Sequence, residues 1–352
     1  MATQPILETT ETDLPGPAFN RMVLESPRRL VMPIAVYPAL ALTGGTVRDV
    51  VNHPRAQFDT QAALHERFQT PVVMTAMDLS AEAEAFGATI RMSETEIPSV
   101  TGRLVTGRKE VDRLAIPMPG AARTSVYLQT VRMLSSFREK PHPLVLAGCI
   151  GPFTLAARLA GVSETLEMTI SEPAFVHQLL EKCAVFLTSY LRAFARAGAD
   201  GVIMAEPMAG LLSPAALAEF SSAYIKPMGQ AMADGQFGII LHNCGATLRH
   251  LPAILATDLK CFHFGAPMNL ASALEQVPAE VVLCGNLDPS AVFVQLPPTE
   301  ITSRATALLE ETATHRNFVL SSGCDLPPGT RLSSVEALYA AARMFNEKRV
   351  KP

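Results

Sequence analysis

The chain has 352 residues, 48% hydrophobic and only 18% charged, with a net charge of −4 and a pI near 6.1. That size carries one large core or two modest ones, and the mildly acidic balance lacks the basic footprint of a nucleic-acid-binding protein. No apolar run reaches bilayer-spanning length, which argues against a membrane protein, and the sparse charge leaves room for a homo-oligomer or a protein partner.

Residues 1–20 are polar and acidic and contain prolines. They lack the basic and apolar regions of a secretory signal, so they read as a flexible N-terminal tail ahead of one domain over residues 21–352. With no export signal, six cysteines in so long a chain are not a disulfide framework. A cytoplasmic location and free thiols are expected.

From there the pattern is an apolar strand, a loop and an amphipathic helix, repeated. Eight runs read as strands: Leu30–Tyr37, Pro71–Met77, Leu144–Ile150, Gly201–Glu206, Gly238–Cys244, Lys260–Phe264, Val281–Leu287 and Phe318–Cys324. Most are continuously apolar, as parallel strands buried on both faces must be. Between them, Glu172–Ala197 has apolar residues spaced by threes and fours, with Pro173 near its start and Gly198 after its end. Ser213 is an expected N-cap, Pro227 an expected kink or stop, and Ser333 to Glu336 an expected capping box before the last helix. Eight strands alternating with helices predict a TIM (β/α)8 barrel, whose site lies at the C-terminal strand ends. Cys149, Glu206, His242, Cys244, His263, Asn286, Asp288 and Cys324 all fall there.

Three of these form a soft donor set. His242 and Cys244 close one strand and Cys324 follows another, 80 positions later. One imidazole and two thiolates suit zinc, and three protein ligands leave a tetrahedral position open for substrate. The long separation is that of a site assembled by a large fold rather than of a zinc finger. The other cysteines read as core residues. His263 reads as a satisfied histidine of the barrel wall, and His250 and His315 as solvated. Glu206 is a candidate fourth ligand or a partner for a cationic part of the substrate, with a hydrogen-bonded loop carboxylate as the plainer reading. Asn286 and Asp288 either bind substrate or shape their loop.

The segments Gly151-Pro-Phe-Thr-Leu155, His242-Asn-Cys-Gly245, Gly285-Asn-Leu-Asp-Pro289 and Gly323-Cys-Asp-Leu-Pro327 resemble the uroporphyrinogen decarboxylase superfamily. The His-x-Cys with a distant Cys resembles its methylcobamide:coenzyme M (corrinoid) methyltransferase branch. Asp78, with Glu82, Glu84 and Gly87, resembles the family's second strand and following loop; the resemblance makes Asp78 line the pocket, and the residues alone make it an N-cap for the helix from Ala81. The resemblance implies zinc on His242, Cys244 and Cys324. It also implies methyl transfer from a corrinoid protein, carried separately, to a small thiol. Three rival readings stand beside it: a metal-free decarboxylase of a porphyrinogen, a zinc methyltransferase using a folate or small donor, and a non-catalytic corrinoid-binding barrel. The first is disfavoured by residues 31–38, which lack the arginines an acidic tetrapyrrole needs.

Overall fold

The computed structural model describes residues 16–137, 142–233 and 235–350. The tail expected over residues 1–20 lies mostly outside them, and its last three residues open a helix, Ala18–Glu25, that buries Phe19 and Asn20.

The strands are β1 (Val72–Met74), β2 (Thr89–Arg91), β3 (Ser99–Thr101), β4 (Leu144–Ile150), β5 (Gly201–Ala205), β6 (Gly238–Asn243), β7 (Cys261–Phe264), β8 (Val282–Leu287) and β9 (Phe318–Ser322). Seven form one parallel sheet in the order β1-β4-β5-β6-β7-β8-β9. Every residue of β5, β6, β7 and β9 is buried, which explains their unbroken apolar runs. β2 and β3 make a separate antiparallel pair on the excursion from β1 to β4, an element missing from the predicted set.

The first predicted strand is reduced to one parallel bridge, Val31 to Leu320. Pro33 within that run has no N–H to donate. The run still lies along β9, with Met32 N donating to Leu320 O at 2.9 Å and Leu320 N to Leu30 O at 3.1 Å. On its other side, side chains replace the ladder. Gln61 of the helix Pro54–Phe68 donates to Ala35 O at 3.1 Å and accepts from Met74 N at 2.8 Å. Gln57, one turn earlier, accepts from Ala76 N at 3.0 Å. The curled sheet is thus an α/β barrel of the expected TIM type, with one stave tied to β1 through Gln61.

The helix Pro173–Ala197 forms as predicted, ending on Gly198 at φ 99°, and Ser213 caps its helix by accepting from Ala216 N. Of the kink or stop expected at Pro227, the stop is not made: Pro227 lies inside the helix Ala223–Gln230, and a π-helical turn, Ala218–Ser222, sits directly upstream. One expectation is corrected: the last helix starts at Leu332, so Ser333 lies within it and makes no capping box. Among the described residues no helix is long and apolar enough to cross a membrane.

Candidate metal centre

β6 delivers His242 from its last turn of sheet and Cys244 just beyond it. Cys244 lies in the turn that follows the strand, and the fold brings its sulfur to the same place as the His242 ring. β9 ends at Ser322, and Cys324 follows after Gly323, whose Cβ would lie 3.0 Å from both Ala266 N and Asn286 O. Only a glycine lets that turn pack so closely on its neighbours. One ligand atom each from His242, Cys244 and Cys324 lies within 4.8 Å of the others.

The spacing suits a tetrahedral ion. Ordinary zinc–sulfur and zinc–nitrogen bonds at a tetrahedral angle set sulfur and nitrogen about 3.6 Å apart, and Cys324 Sγ lies 3.5 Å from His242 Nε2. The charge fits as well. The hydrogen bond from Cys324 draws the Cys244 thiol down to about 4, helped by the neighbouring His242. The same hydrogen bond, with burial, pushes Cys324 up. The pair thus holds one thiolate and one proton, which a cation would displace. Asp325, next in sequence, has both carboxyl oxygens buried without a hydrogen-bond partner, and burial pushes its pKa well up, favouring the neutral acid.

Behind His242 stands His263, its register partner on β7. Their Nδ1 atoms are 2.8 Å apart. His263 Nε2 lies 2.8 Å from Ser321 Oγ, which donates to Met32 O at 2.5 Å. His263 is fully buried, and burial drives its pKa far down. It is a wall histidine, as expected, but one bonded directly to a candidate ligand.

The predicted carboxylates are elsewhere occupied. Glu206 is buried, with Oε1 accepting from Phe153 N at 2.8 Å and Ser221 Oγ at 3.1 Å, and Oε2 from Thr154 N at 2.8 Å. It caps the N-terminus of the helix Pro152–Ala160, where free N–H groups and the helix dipole favour an anion. This replaces the expected ligand role with the plainer one. Asp78 is fully enclosed: Oδ2 accepts from Arg123 Nη1 and, at 2.9 Å, Tyr127 Oη, while Oδ1 accepts from Ser80 N and Oγ at 2.9 and 2.6 Å. Arg123 also reaches Glu84 Oε2 at 2.5 Å. Asp78 does not cap the helix from Ala81, whose N-cap is Ser80. Asn286 Nδ2 donates to Gly265 O and Met268 O at 3.0 and 2.6 Å, and Asp288 Oδ1 accepts from Ser290 N and Ala291 N at 2.8 and 2.6 Å. Both shape loops at the barrel mouth. His250, expected to be solvated, is fully buried and bonds Thr247 and Leu212 O.

A family model described as Uroporphyrinogen decarboxylase (URO-D) matches residues 26–345. The chain is 25% identical over 301 residues to a methylcobamide:CoM methyltransferase, MtbA, of Methanosarcina acetivorans, covering 83% of this chain and 87% of that one. It is 28% identical over 296 residues to a uroporphyrinogen decarboxylase of Vibrio cholerae, covering 80% and 81%. Among solved structures, a methyltransferase from Methanosarcina mazei superposes with a TM-score of 0.83 at 22% identity, covering 93% of this chain and 97% of that chain.

Proposed function

The chain belongs to the uroporphyrinogen decarboxylase family, and from that premise we propose that it is a methyltransferase moving a methyl group from a methylated corrinoid to a small thiol such as coenzyme M. Overall identity does not choose between the family's activities, since the methyltransferase and decarboxylase relatives match at 25% and 28%. The observation that carries the reading is the grouping of His242, Cys244 and Cys324 within 4.8 Å at the C-terminal ends of β6 and β9. That donor set suits zinc and leaves a coordination position for substrate.

Zinc held there would supply the positive charge that keeps an acceptor thiol ionised at neutral pH. The chain's own part is to hold the donors rigid. His242 contributes a neutral imidazole, and the two cysteines contribute negative charge that keeps the centre electron-rich. The thiolate attacks the methyl carbon, and the carbon–sulfur bond forms as the carbon–cobalt bond breaks, its electron pair remaining with cobalt. The step needs no acid or base from the protein, which accords with the full occupation of Asp78 and Glu206. In this reading the donor corrinoid is carried by a separate protein docking over the barrel mouth.

The test is metal content, with thiol methylation by methylcobalamin. The expected result is about one zinc per chain, lost in Cys244→Ser and Cys324→Ser together with methyl transfer. A native protein that takes up no zinc when supplied with it and transfers no methyl group would sink the reading in favour of a metal-free decarboxylase, and methyl transfer undiminished in Cys244→Ser would overturn the role given to the metal. Corrinoid binding without methyl transfer would leave the non-catalytic reading.

A further inference from the structure

The contacts behind His242 have a direction. Met32 O is a carbonyl and can only accept, so the single hydrogen of Ser321 Oγ, 2.5 Å away, points to it. Ser321 Oγ must then accept from His263 Nε2, 2.8 Å away, which places a hydrogen on that nitrogen. His263 is fully enclosed, and its ring faces a hydroxyl, another imidazole and backbone groups of its own residue and of Ser322, with no carboxylate to balance a charge. A neutral ring with hydrogen on Nε2 has a lone pair on Nδ1. That lone pair faces His242 Nδ1 at 2.8 Å, a distance that requires one hydrogen between the two nitrogens. The hydrogen therefore belongs to His242. Its other nitrogen, Nε2, is left with the lone pair, and Nε2 is the atom that faces Cys324 Sγ.

We infer that His263 and Ser321 are positioning residues of the metal centre: through them the Met32 carbonyl fixes His242 in its Nδ1–H tautomer and reserves Nε2 for the ion. The inference rests on the metal reading above and adds two residues to it. Neither touches the ion. The relay selects one of two tautomers that a free imidazole populates together, and it sets the plane of the ring. Ligating histidines generally need such a partner, and losing it commonly costs 10–100-fold in metal affinity. Here the partner is a neutral imidazole rather than a carboxylate, so no extra negative charge is added to a centre already holding two cysteines. The relay also couples strands that are distant in sequence, β6 to β7 to β9 to the run containing Met32.

The experiment has two independent readouts. In the protein without metal, side-chain 15N resonances report which nitrogen of each ring carries hydrogen. The expected pattern is Nδ1–H for His242 and Nε2–H for His263. Zinc affinity is then measured by chelator competition, with the visible spectrum of the cobalt(II) form as a record of ligand geometry. His263→Phe is expected to weaken zinc binding about 10–100-fold. Ser321→Ala, which removes only one oxygen, is expected to weaken it in the same direction and to mix the His242 tautomers, while Ser321→Thr, which keeps the hydroxyl, restores both. Folded Ser321→Ala and His263→Phe proteins with native zinc affinity would overturn the inference, as would an Nε2–H tautomer of His242 in the native protein. If the native protein has the expected tautomers but binds no zinc, the metal reading fails and takes the relay's purpose with it.

Discussion

Glu82 shows how burial governs a single carboxyl group. Its Oε1 accepts from Ile150 N at 3.1 Å, while Oε2 is enclosed without a partner. Burial pushes its pKa up to about 8, with the Asp78 charge acting in the same direction. A carboxyl raised in the folded state holds a proton that the unfolded chain has released, so stability falls as pH rises between the two values. The native protein should therefore lose stability from about pH 4.5 to about pH 8, by at most about 1.4 kcal/mol per unit. Glu82→Gln, which cannot ionise, should flatten that slope in urea titrations at several pH values; an unchanged slope would assign the effect to another group. At this scale the sequence was legible where residue type is itself the chemistry. His242, Cys244 and Cys324 stand out as soft donors wherever they lie. The roles of Asp78 and Glu206 were not, because they depend on Arg123, Phe153 and Thr154, whose proximity only the fold creates. His263 and Ser321 carried no signal beyond a position near a strand end, and Asp325 none beyond following Cys324.

The loops that bear the donors are packed backbone against backbone. A Cβ added at Gly265 would lie 2.3 Å from Cys244 O and 2.7 Å from Cys244 Cα. Those atoms belong to the main chain and cannot swing aside as a side chain would. Gly265→Ala should accordingly displace Cys244 and abolish stoichiometric zinc binding while far-ultraviolet circular dichroism stays native. Retention of zinc by that variant would mean the loop is more compliant than its packing implies. Strand and helix cores were readable because their apolar spacing follows directly from what they bury, as in Pro173–Ala197. Element ends were less so. Pro227 stays within its helix beside a π-helical turn, and Leu332, not the Ser-Ser pair after it, begins the last one.

For the whole barrel, closure depends on helix side chains. Gln61 alone satisfies both Ala35 O and Met74 N. Gln61→Leu would strand two backbone groups in a buried seam, each costing about 1–3 kcal/mol, so a loss of roughly 2–6 kcal/mol is expected in urea unfolding. A loss under about 1 kcal/mol would show that the seam closes by other means. The alternation of apolar runs and helical segments specified the barrel and seven of its eight predicted staves. The eighth, over Leu30–Tyr37, was legible as a buried apolar run but not as a bridge, because its tie to β1 is supplied by Gln61, on a helix whose sequence reads as ordinary polar surface.

The separation of 80 positions between Cys244 and Cys324 also bears on how such a molecule matures. Chains are synthesised from the N-terminus, so the last donor appears only when nearly all of the barrel exists. A zinc finger gains its fold from its ion. Here the candidate ligands are mounted on strands that have a core of their own, so under the proposed metal reading the framework would precede its guest. How many molecules a cell contains and how many of them are charged with metal would then be separate quantities, the first set by synthesis and the second by supply.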